Sequence, residues 1–133
     1  MALILKPFLI EDITMYSKIR KFFILFILLL NSCNSKEKIS LLLKSDDKTQ
    51  IMLGCSYINS QKDTEYVSLL LKDLDDSRIS HDVRFNGMSV YQCKINALKR
   101  ISNIDPPKKV TYKVDTVNIN FYKEWAIRSG YLK

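Results

Sequence analysis

Ile39-Ser40-Leu41-Leu42-Leu43-Lys44 recurs 28 residues later as Val67-Ser68-Leu69-Leu70-Leu71-Lys72, with five identities in six positions, and this doubling decides the fold. An acidic pair follows each copy: Asp46-Asp47 after the first and, one residue later in register, Asp75-Asp76 after the second. Self-similarity at such a period marks stacked units, none of which can bury its apolar face alone. The plainer account is two Leu-rich amphipathic helices that coincide by chance. Either way both copies read as helix. In the second, Tyr66, Leu69, Leu70 and Leu74 recur at i, i+3, i+4 and i+8 without an intervening Gly or Pro, and Asp63 or Thr64 is available as N-cap.

A further helix follows each copy. Asp47 and Gln50 form an Asp-x-x-Gln opening to a helix near 48–58, and Ser89 and Gln92 form a capping box ahead of one near 90–102, with Asn86-Gly87 as the turn before it. On that second partner helix Val90, Cys93, Ala97 and Ile101 make one apolar stripe, which Ile95 and Leu98 broaden. Lys94, Lys99 and Arg100 are expected away from the stripe, on a wet face. Pro106-Pro107 ends the pattern. Val110, Tyr112 and Val114 then alternate with Lys109, Thr111 and Lys113, a short extended stretch over 109–114 with no second strand to pair with. Asp115 opens a last helix carrying Val117, Phe121, Tyr122, Trp125 and Ala126, and Gly130 lies just past its end. The fold class expected for residues 39–133 is all-α, with about five helices.

The Leu-rich first helices, the acidic turns after them and the run Ala97-Leu98-Lys99-Arg100-Ile101-Ser102 resemble a HEAT- or armadillo-like repeat over residues 36–103. That resemblance implies a short α-solenoid, with the aromatic last helix as its cap, and a protein-binding or scaffold role. Two departures are a first unit of only 28 residues and a long loop, Ser77 to Met88, in the second.

Upstream, Lys18, Arg20 and Lys21 precede an unbroken apolar run from Phe22 to Leu30, then Asn31-Ser32-Cys33. This is the charged, apolar and small-residue order of a secretory signal. As a helix the run rises about 14 Å, short of the roughly 20 residues a bilayer core needs. Leu30-Asn31-Ser32-Cys33 resembles the lipobox of bacterial lipoproteins. The resemblance implies that Cys33 receives diacylglycerol, becomes the new N-terminus and anchors the chain to a membrane of the bacterial cell envelope, the outer membrane or cell surface included. Glu11 and Asp12 do not suit a signal, so translation is expected to start at Met15, leaving 1–14 as an upstream extension. Residues 15–32 would be the signal peptide, 33–38 a polar tether and 39–133 the domain.

The chain has 133 residues, 47% of them hydrophobic and 26% charged, with three Gly and three Pro, which excludes disordered and collagen-like classes. Its net charge is +7. From Cys33 onward 17 basic and 12 acidic side chains leave +5, spread without a block of five or six, so a solvated surface and an acidic protein partner are expected and nucleic acid is not.

Chemistry is sparse. Ser80, His81 and Asp82 are the residue types of a catalytic triad, but triads are assembled from separated positions. The single His, and Cys55 and Cys93 set 38 residues apart, lack metal-ligand spacing. Gly54, Gly87 and Gly130 are isolated, so no phosphate loop forms. No cofactor and no catalytic residue is expected. Cys55 and Cys93 both lie on apolar stripes, either as buried free thiols or as a disulfide in an oxidising compartment. The long loop mixes arginines, a histidine and an aromatic, so Arg78, His81, Asp82, Arg84, Phe85 and Asn86, with the adjoining Tyr91, are the expected partner-binding residues. The function expected is a lipid-anchored helical-repeat binding module, and the alternative is an immunity-type inhibitor of a toxin or hydrolase.

Overall fold

The computed structural model describes residues 2–133, with side chains described at 13–28 and 35–133. Its helices are α1 (Ala2–Leu43), α2 (Lys48–Ser56), α3 (Val67–Leu71), α4 (Val90–Ser102) and α5 (Thr116–Arg128), with 3₁₀ turns at Thr64–Tyr66 and Val83–Phe85. Among the described residues no strand forms, and one isolated antiparallel bridge joins Ile79 to Ser89. The chain divides into two compact units, Met1–Glu37 and Lys38–Lys133.

The first unit is helical, and its described side chains from Ile13 to Leu28 are exposed. No described helix is long and apolar enough to cross a membrane. Between Pro7 and Gly54 the sequence has neither Gly nor Pro. Nothing therefore interrupts the helical backbone at the expected tether, and residues 33–38 are helical. The expected lipobox at 30–33, Cys33 included, lies outside the described side chains.

In the second unit the caps are as the local chemistry requires. The Asp47 carboxylate accepts from the Thr49 and Gln50 amides at 2.7 and 3.1 Å, Ser89 Oγ from Gln92 N at 3.1 Å, and Asp115 from Val117 N at 2.8 Å. α5 ends in a Schellman motif: Tyr131 N donates to Ala126 O, Gly130 N donates to Ile127 O, and Gly130 takes φ 80°. Asp63 does not cap the next helix. Its carboxylate instead accepts from the Asn59 and Ser60 amides, and a 3₁₀ turn precedes α3.

α4 packs on α2, α3 and α5 and is the centre of the core, with Val90, Tyr91, Ile95, Ala97 and Leu98 fully buried. The repeat copies share one buried position and differ at the others, Ile39 and Leu42 being half-buried where Val67 and Leu70 are fully buried. Leu43 and Leu71 are both buried, while Leu41 is 64% exposed and Leu69 is half-buried. α2 lies so close to the first copy that a Cβ added at Gly54 would come within 3.0 Å of Leu42 Cβ and 3.1 Å of Leu43 Cδ2. Only glycine fits that approach without a shift.

Three expectations are corrected. Lys94 belongs to the core, not to a wet face: it is 3% exposed and its ammonium donates to Lys72 O at 2.6 Å. That contact occupies the carbonyl at the end of α3, where Lys72 turns extended and Asp73 takes φ 49°, so the second Leu-rich helix is only five residues long. Residues 109–114 are not a regular extended stretch but bend at 112–113. What holds this segment is α5: Asn118 bonds the backbone of Lys108 in both directions, and Tyr122 Oη donates to Ile104 O at 2.8 Å.

Candidate functional site

The loop between α3 and α4 is closed by its own backbone. Tyr91 N donates to Asp76 O (2.8 Å), Val90 N to Arg78 O (2.9 Å), Ser80 N to Met88 O (3.0 Å) and Gly87 N to Ser80 O (3.3 Å). At its root Arg78 grips Asp76 through Nε (3.0 Å to Oδ1) and Nη2 (2.8 Å to Oδ2), and its Nη1 donates to Asp46 O at 2.8 Å. Arg78 thus ties the two acidic turns together. Burial works to raise the Asp76 carboxyl, but the hydrogen bonds from Arg78 outweigh it and hold that group below the ordinary carboxylate range.

At the tip, Asp82 accepts from Arg84 N (2.9 Å), Nε (3.0 Å) and Nη2 (3.1 Å), and those bonds hold its carboxyl below the ordinary range. Ser80 is buried, with its Oγ accepting from Asp82 N at 3.1 Å, whereas His81 is exposed. The turn Val83–Phe85 splits its neighbours: Val83 stands 94% exposed and Phe85 points into the core, with the Arg84 guanidinium 5.5 Å from its ring centre.

Of the expected binding residues, His81, Arg84 and Asn86 are thus displayed on one loop, with Asp82 half-buried beneath Arg84. Arg78 is exposed but committed to Asp76. Phe85 and Tyr91 are in the core, and Tyr91 Oη accepts from Asn118 Nδ2 at 3.2 Å. The plainer reading of the loop, that Val83 and Phe85 both pack over the junction of the repeats, holds for Phe85 and fails for Val83, which stands exposed at the tip.

Behind the loop lies a cavity of about 210 Å³. α2 lines it with Met52, Cys55 and Ser56, the loop with Arg84, Phe85 and Met88, and α4 with Cys93 and Arg100. Arg100 is anchored at its edge, donating from Nε to Ile58 O (2.6 Å) and from Nη2 to Cys55 O (2.9 Å), so it closes the C-terminal end of α2. Cys55 and Cys93 are free thiols and buried. Burial, with Cys93 nearby, pushes the Cys55 thiol up to about 12, and burial pushes Cys93 up to about 11. Among the described residues no group of three or more His, Cys, Asp or Glu is placed to hold a metal ion. A smaller polar cleft of about 120 Å³ has Lys94 at its base, facing Asp73, Asp76 and Arg78, and burial pulls that ammonium below the ordinary lysine range.

These shifts have a sign. An acid whose folded pKa is raised adds stability that is complete below its unfolded pKa and is lost as pH climbs through the folded value. For Cys55 and Cys93 the unfolded value is 9.0, and for Tyr122, raised by burial to about 12, it is 10.0. The urea midpoint should hold steady up to pH about 8 and then fall through pH about 11, each ionising group removing at most about 1.4 kcal/mol per pH unit. Denaturation curves across that range check it, and a flat profile would show that these groups meet water in the folded protein.

No family model matches the chain, and neither a curated protein nor a solved structure matches it.

Proposed function

We propose that this chain is a lipid-anchored lipoprotein of the bacterial envelope whose domain, residues 38–133, binds a protein partner through the tip of the 78–88 loop. The observation that carries the reading is the order of basic residues, apolar run and Leu30-Asn31-Ser32-Cys33 in the sequence. It is supported by the boundary between the two compact units, which falls at Glu37/Lys38, so processing at Cys33 leaves the second unit whole. Labelling with radioactive palmitate tests it. The wild-type chain takes up label and follows the membrane fraction, and Cys33→Ser abolishes the label and leaves either soluble protein or uncleaved precursor. Undiminished label in Cys33→Ser overturns the reading.

The domain is read as a short helical repeat because the two Leu-rich copies share a buried leucine, Leu43 and Leu71, and their partner helices α2 and α4 pack together. The tip is read as the contact because Val83 is displayed and Arg84 stands beside it, an apolar and a basic group suited to a partner bearing carboxylates. A partner captured from membranes by the wild-type protein should lose about 2 kcal/mol of affinity with Val83→Asp plus Arg84→Ala. The melting midpoint should move little, since Val83 is exposed and Arg84 loses only a solvent-accessible ion pair with Asp82 and its place over Phe85. Equal loss from Lys44→Ala plus Lys72→Ala would place the contact elsewhere.

A further inference from the structure

Residues 38–133 contain four sulfur-bearing side chains, Met52, Cys55, Met88 and Cys93, and all four line the single cavity between α2, the loop and α4. The sources are separate in sequence. Met52 and Cys55 stand at i and i+3 on α2 and share its face, Cys93 comes from the first turn of α4, and Met88 from the end of the loop. α2 and α4 pack directly on each other. The helix pairing therefore gathers sulfurs that the 38-residue spacing of the cysteines keeps apart in the sequence.

We propose that this cavity is a binding site for a soft monovalent metal ion, Cu(I), held by the Cys55 and Cys93 sulfurs with thioether support from Met52 and Met88. Thiolate and thioether donors select Cu(I), whereas Mg²⁺, Ca²⁺ and Mn²⁺ want carboxylate and carbonyl oxygen. The lining contains no carboxylate and no imidazole, and its remaining polar side chains are Ser56, Arg84 and Arg100. On binding, each thiol gives its proton to solvent and its sulfur forms one bond to the metal. Copper stays in its +1 state, nothing is oxidised, and the bis-thiolate centre carries one negative charge. Arg100, fixed by the Ile58 and Cys55 carbonyls, supplies the compensating positive charge beside it. Met88 is half-buried at the mouth, and with three rotatable bonds it is the donor that can swing onto an arriving ion. The inference is independent of the lipid anchor and shares with the loop tip only the lining residues Arg84 and Phe85.

The test is a titration of the full chain with Cu(I) under anaerobic, reducing conditions against a chromophoric Cu(I) chelator, in a Cys33→Ser background so that the thiols present are Cys55 and Cys93. One equivalent of Cu(I) should be withdrawn from the chelator, with thiolate-to-copper charge-transfer absorption in the ultraviolet. Met88→Leu, which conserves volume, should weaken binding by about tenfold without changing the melting midpoint. Cys55→Ser plus Cys93→Ser should abolish it. Because that double variant puts two hydroxyls in place of buried core thiols, X-ray absorption on the copper-loaded chain with both thiols intact serves as the second reading: it reports the donor set directly and should find sulfur neighbours alone. No withdrawal of copper, retained binding without the two thiols, or a shell of nitrogen and oxygen would each overturn the assignment and leave the four sulfurs as core packing.

Discussion

Replacing Tyr122 with alanine should remove about 4 kcal/mol from the stability of the Lys38–Lys133 unit, the largest loss expected from any side chain of the last helix. The ring is fully buried. It meets Phe121 edge-on at 5.0 Å and Trp125 edge-on at 6.4 Å, and its hydroxyl donates to Ile104 O at 2.8 Å. Truncation removes the buried ring, its aromatic neighbours and the partner of a main-chain carbonyl together. Trp125 is larger but only half-buried, its ring tilted at 47° against that of the exposed Tyr131, so Trp125→Ala should cost clearly less. Tyr122→Phe isolates the hydroxyl and should cost about 1 kcal/mol. Urea denaturation of the three variants gives the ranking, and a Trp125 loss exceeding that of Tyr122 would contradict this account of how the core closes.

Asn118→Leu should be nearly as damaging, at about 3 kcal/mol, although it adds apolar bulk at a buried site. Asn118 is fully buried, accepts from Lys108 N at 3.0 Å, and donates to Lys108 O at 3.1 Å and to Tyr91 Oη at 3.2 Å. Leucine leaves three polar groups without partners: the buried Tyr91 hydroxyl and the part-buried amide and carbonyl of Lys108. The damage should also be local. Hydrogen exchange at Lys108 N–H should accelerate far more than at α2 amides. Uniform acceleration would mean that the 103–115 segment has no separate attachment.

The helix starts were legible in the sequence because capping is a short-range bargain between one side chain and amides two or three residues on. Asp47, Ser89 and Asp115 are caps for that reason, and Gly130 ends α5 for the equivalent one. The all-α class followed from the same signals. What could not be read was anything settled by a neighbour distant in sequence. Lys94 looks solvated on a helical wheel, but the end of α3 offers it a carbonyl. Tyr91 and Phe85 have the composition of interface residues, yet one meets Asn118 and the other the core. The bends at 112–113 replace an alternating pattern because Asn118 and Tyr122 capture the backbone just upstream. Cys55 and Cys93 could be read as a pair on facing apolar stripes, but Met52 and Met88 join them only when α2, the loop and α4 pack together.

The central place of α4 also sets an order of events for a chain made from its N-terminus. α2 and α3 each find their main partner surface on residues 90–102, and the first Leu-rich copy packs closely on α2 at Gly54. Until those residues have been made, α2 and α3 are helices shorter than an isolated helix needs to persist in water. Residues 48–89 therefore gain their partner surface late, and the domain closes only once α4 is available.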